Sequence, residues 1–83
     1  MRNDMNELIR ILEKIRPGVE FEGRTDLFAS GILDSMTIVA LAAELNDEFD
    51  IEVKVTDILP ENFNSVESIE KMIRRLSDED QPL

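Results

Sequence analysis

Apolar residues recur at helical intervals in three stretches of the chain and alternate in a fourth. Met5, Leu8, Ile9, Leu12 and Ile15 form one stripe, which predicts a helix over about residues 4–15. Asp4 with Glu7 three positions later has capping-box spacing, and Pro17-Gly18 stops the element. A second helix is predicted from Ser35 to Phe49, with Asp34 at its N-cap. Ile38, Leu41, Ala42, Leu45 and Phe49 share its inward face. Met36, Val39, Ala40 and Ala43 fall roughly opposite, beside Asp47. Alanine favours helices anyway, yet a helix buried on one side needs no second apolar row. Next to Ser35 that row is read as a shallow docking surface, with Met36 an adaptable contact.

Asp50 closes the second helix. Ile51, Val53 and Val55 then alternate with Glu52 and Lys54, which predicts a short extended link. Residues 56–63 are expected to form a helical turn or two, broken or started at Pro60. Asn64 and Glu67 repeat the capping-box spacing and open a last helix to about Leu76, whose inward face is Val66, Ile69, Met72, Ile73 and Leu76. The connection over residues 16–34 is long for a small domain, but Val19, Phe21, Leu27, Phe28, Ile32 and Leu33 give it anchors. Gly31 allows a tight bend before the second helix. The expected fold is all-α: a small four-helix bundle with a short third helix and a long loop between helices one and two. It is read as one domain over residues 1–83, with an ordered core at about 4–76 and a frayed tail at 77–83.

Composition narrows the chemistry. Hydrophobic residues are 42% of the chain but aromatics only 5%, which favours an aliphatic helical core over a sheet. There is no cysteine and no histidine, so disulfides and zinc sites built on those residues are excluded. No apolar run approaches the length of a bilayer span, and the N-terminal MRNDMNELIR is too polar for a signal peptide. A cytoplasmic monomer is the expectation. The net charge of −10 is unevenly spread: residues 25–70 hold eleven acids against the single base Lys54, while both flanks are neutral. Such a field repels nucleic acid and anionic membranes and attracts basic protein surfaces.

Ser35 stands where the charge excess, the small-residue row and a helix start meet. A hydroxyl at that place is presented at the surface, and helix-start amides favour a phosphate attached to it. Without histidine or cysteine, nothing obvious nearby turns Ser35 into a catalytic nucleophile. It reads as an attachment point rather than a reagent.

The chain resembles the acyl and peptidyl carrier protein family over about residues 5–76. The resemblance is carried by Leu27-Phe28, by Gly31-Ile32-Leu33-Asp34-Ser35-Met36, by Val39 and Leu41, and by Glu48-Phe49-Asp50-Ile51. It implies that Ser35 is esterified with 4′-phosphopantetheine by a phosphopantetheinyl transferase using coenzyme A. It also implies a cargo held as a thioester on the arm's terminal thiol, which fits a chain without cysteine. Asp34, in this family, lies beside the modified serine and helps the transferase bind its metal and diphosphate. Met36 stands where the family usually has leucine, a swap that keeps size and apolarity. Fatty-acid carriers commonly have acids early in helix two, where this chain has Thr37 and Ala40; here Glu44, Asp47 and Glu48 come later. The segment GILDSM, the following FDIEVKVTDI and Asn64-Ser65 are also similar to D-alanyl carrier proteins of teichoic acid modification.

The expected function is therefore a non-catalytic shuttle. Its partners would be the transferase, an acyl- or aminoacyl-activating ligase, and acyltransferase or synthase enzymes with basic docking surfaces. The expected docking set is Met36, Val39, Ala40, Ala43, Glu44, Asp47 and Glu48. An unmodified acidic adaptor is the rival reading; it explains the charge but gives no reason for the Gly31-to-Ser35 approach. Asp47, Glu48, Asp50 and Glu52 lack the central glycine and terminal glutamate of an EF-hand. A chain this short offers little wall for a catalytic pocket of its own.

Overall fold

The computed structural model describes residues 4–79, arranged as four α-helices with no strand among the described residues. The elements are α1 (Asp4–Ile15), α2 (Ser35–Phe49), α3 (Pro60–Phe63) and α4 (Val66–Glu79), with a 3₁₀ turn at Val55–Asp57 between α2 and α3. Helix α1 packs against α2 and α4, and α4 also carries α3 on its side. The four-helix bundle with a short third helix is thus the observed fold.

Leu8, Leu12, Ile38, Leu41, Leu45, Phe63 and Ile69 are fully enclosed. Each such side chain contributes about 1.5–3 kcal/mol relative to exposure, which is how a domain this small stays folded on an aliphatic core. In α1 the stripe is shifted from expectation: Ile11 joins Leu8 and Leu12 inside, while Met5, Ile9 and Ile15 are only half-buried at its edges. The expected Asp4 cap lies outside the described side chains. Helix α1 ends as Arg16 N donates to Leu12 O at 2.8 Å and Pro17 follows.

Helix α2 keeps its predicted ends and its inward face of Ile38, Leu41, Ala42, Leu45 and Phe49. Asp34 caps its start, and at its other end Asp50 takes a left-handed conformation (φ 54°) while its N–H returns to Asn46 O. Asn46 then holds the outgoing strand of chain, its Oδ1 accepting the Val53 amide at 2.8 Å.

Three expectations are corrected beyond α2. The alternation does not reach Val55, which is 86% exposed and begins the 3₁₀ turn. That turn forms because the Asp57 carboxylate accepts the Lys54 amide at 3.1 Å, while the Asp57 amide donates to Lys54 O at 2.8 Å. Asn64 does not cap α4. Ser65 does, its Oγ accepting the Ser68 amide at 3.0 Å. Helix α4 also continues through Ser77 to Glu79, so the part of the expected tail that is described is helical; the rest lies outside the described residues.

Candidate functional site

Ser35 is exposed at the first position of α2, and its neighbours explain why it stays there. Two residues earlier Leu33 is wholly buried, and its amide donates to Leu27 O at 2.9 Å. Between them Asp34 is extended (φ −81°, ψ 177°), and its Oδ1 accepts the Thr37 amide at 2.9 Å. A buried anchor, a cap and a free hydroxyl thus follow in three consecutive residues. The cap also satisfies one of the helix-start amides that would otherwise lack a partner.

The approach to Leu33 is a compact turn. Ser30 N donates to Asp26 O at 2.7 Å and Gly31 N to Phe28 O at 3.1 Å. Gly31 has φ 86°, and a Cβ there would meet open space; glycine is favoured by backbone conformation, not by crowding. The turn is held from two sides. From the α3–α4 junction, Asn64 Oδ1 accepts the Phe28 and Ala29 amides at 3.1 and 3.3 Å, and Asn64 O accepts the Leu27 amide at 3.0 Å. From the end of α1, Arg16 Nε donates to Ile32 O at 2.9 Å and its Nη2 to Gly31 O at 3.5 Å.

The electrostatics agree with this geometry. The Thr37 amide, then the Thr37 hydroxyl and the nearby Arg16 charge, hold the Asp34 carboxyl below the usual aspartate range. Ser35 stands at the positive end of α2, where the capping Asp34 is the adjacent acid and the first turn holds none.

The expected docking residues divide into two groups. Met36 (83% exposed), Val39 (64% exposed), Ala40, Ala43 and Asp47 lie outward on the side away from the core. Glu44 and Glu48 instead turn toward α1, where they border a shallow groove with Glu7, Arg10, Ile11 and Lys14. Glu44 meets Lys14 Nζ at 3.5 Å, an exposed pair of small energetic weight. Sequence reasoning missed Arg16 and the exposed Leu59, gave Asn64 to helix capping rather than to the loop, and did not anticipate the exposure of Val55. The spacing of Lys54 and Asp57 was the one signal that the helical turn expected from residue 56 begins already at Val55. No helix among the described residues is long and apolar enough to cross a membrane.

Residues 6–73 match the model of a family described as the phosphopantetheine attachment site. The chain is 34% identical over 65 residues to a D-alanyl carrier protein of Lactobacillus delbrueckii subsp. bulgaricus, covering 76% of this chain and 81% of the relative. It is 33% identical over 75 residues to a D-alanyl carrier protein of Lactococcus lactis subsp. cremoris, covering 88% and 95%. A D-alanyl carrier protein of Streptococcus sanguinis is 35% identical over 71 residues, covering 84% and 90%. No solved structure matches the chain.

Proposed function

Because the chain belongs to the phosphopantetheine attachment-site family and is a phosphopantetheine-carrying shuttle, we propose that Ser35 Oγ is the atom that bears the 4′-phosphopantetheine arm. The carrying observation is the placement of one exposed serine directly after a capping aspartate, at the positive end of α2. The site's residues fit the group. A phosphodiester on Ser35 would project to solvent at the amide end of a 15-residue helix. When bound, the arm supplies a terminal thiol on which a carboxylic cargo is held as a thioester.

The chain's own residues supply position rather than reaction chemistry. Leu33 pins the segment to the core, and Asp34 fixes the first turn of the helix. Held ionised beside Ser35, the Asp34 carboxylate is available to a divalent cation brought by the transferase and coenzyme A. Loading would form a bond from Ser35 Oγ to the pantetheine-side phosphorus of coenzyme A as the diphosphate P–O bond breaks; 3′,5′-ADP would leave, and the serine proton would pass to a base of the transferase. The protein acts as the substrate of its partners and catalyses nothing itself. Met36, Val39, Ala40, Ala43 and Asp47 form the docking face, and Glu44 and Glu48 extend its negative field along the flank. Such a surface favours fast, weak encounters with basic partner surfaces, which suits a shuttle. The proposed setting is the cytoplasm.

Two cargo readings remain within this function. A general acyl or aminoacyl group is one. D-alanine, activated by an adenylating ligase and passed on by an acyltransferase, is the other, and it is the cargo in the names of the relatives above. Incubation with a broad-specificity transferase and coenzyme A tests the site: the intact mass rises by one phosphopantetheine, and Ser35→Ala stays unmodified. Equal labelling of Ser35→Ala sinks the assignment.

A further inference from the structure

Arg16 is half-buried beyond the end of α1, where its backbone is fixed by the Leu12 carbonyl and by Pro17. Its guanidinium reaches across sixteen residues of sequence to hold the Ile32 carbonyl, Nε donating at 2.9 Å, with a longer 3.5 Å contact from Nη2 to the Gly31 carbonyl. Those carbonyls belong to a segment outside the helices, held by few backbone bonds. Gly31 holds a left-handed conformation, Ile32 N has only a long 3.5 Å contact to Ser30 Oγ, and Leu33 N depends on Leu27 O. A fork of fixed geometry spanning two successive carbonyls is what arginine provides and lysine does not.

We infer that Arg16 is a positioning residue for modification: it holds the Gly31–Asp34 segment in the one arrangement that presents Ser35 to the transferase. This rests on the assignment of Ser35 above. Arg16 touches no reacting atom and acts through the loop. Without the fork, only a fraction of molecules present the segment in the competent form at any moment. The apparent affinity of the transferase for the carrier then falls by that fraction, while turnover of the bound complex is unchanged. A bond that mattered only for stability would lower the melting temperature and leave KM alone where the chain is fully folded.

The test compares wild type, Arg16→Gln and Arg16→Lys as full chains, with Arg24→Gln as a control that removes a loop charge without touching these carbonyls. The KM and kcat for each carrier are measured with a transferase and coenzyme A, and amide hydrogen exchange is followed at Leu33. We expect both Arg16 variants to raise KM by about fivefold with kcat within about twofold, if about one molecule in five keeps the competent loop. Leu33 should exchange faster while the α2 and α4 amides stay protected, and Arg24→Gln should match wild type. Wild-type KM and wild-type Leu33 protection in Arg16→Gln would overturn the inference, as would full recovery of KM by Arg16→Lys. Failure of the wild-type chain to be labelled would sink the Ser35 assignment and the inference with it, while the Leu33 exchange would still decide whether Arg16 holds the Gly31–Asp34 segment.

Discussion

The side-chain oxygen of Asn64 accepts the Phe28 amide at 3.1 Å, tying the junction of α3 and α4 to the loop that leads to Ser35. The same oxygen takes the Ala29 amide, and the Asn64 carbonyl takes that of Leu27. One residue thus satisfies three donors of a turn that has little regular structure.

Asn64→Ala should therefore destabilise the protein by about 1–2 kcal/mol, since the part-buried Phe28 amide loses its acceptor. Asn64→Asp keeps an oxygen in place and should recover most of the loss. Urea unfolding followed by circular dichroism measures both, and an unchanged midpoint for Asn64→Ala would contradict the bond's role.

The Asp34 cap carries a sign that can be checked. The folded carboxyl titrates lower than the unfolded one, so the unfolded state binds more protons near that range. Its contribution is fully present above the unfolded value and is lost as pH falls through the folded one. The melting temperature of Asp34→Ala should lie below that of wild type at neutral pH, and the gap should narrow on acidification. A gap that widens toward acid would mean that the carboxylate is not the stabilising form.

Met36 is 83% exposed and touches little, so Met36→Ala should leave stability within about 0.5 kcal/mol of wild type. Reversing Asp47 to lysine should be similarly mild. Both changes should slow transfer by a partner enzyme, measured as a drop in kcat/KM for the loaded carrier. Full partner activity in the double variant would remove the outward face of α2 from the docking surface.

Eleven acids against one base in residues 25–70 make that segment repel itself. Added salt screens the repulsion, so the melting temperature should rise with ionic strength. A flat or falling trend in calorimetry would show that the charges are already compensated.

How much of this was legible depended on how local each determinant is. Both ends of α2, its buried face and its cap follow from residues within one or two turns of each other, and the structure keeps all three. Asn64 and Ser65 are both good capping residues, each followed three positions later by a polar side chain. What separates them is the loop amides 35 and 36 residues away that claim the Asn64 side chain, and no spacing rule contains that. The role of Arg16 was hidden for the same reason: a cation before Pro17 looks like a surface residue until the carbonyls it meets are in place. Val55 failed differently, because a local capping arrangement at Lys54 and Asp57 overrode a period-two pattern too short to hold a strand.

The most direct measurement of the central claim is fragmentation of the labelled protein to place the added mass on a single residue. Ser30 is the natural competitor, exposed and only five positions upstream, whereas Ser65 is buried in its capping role. The account predicts fragments that carry the phosphopantetheine on Ser35 and leave Ser30 unmodified. The group found on Ser30, or divided between the two serines, would contradict it.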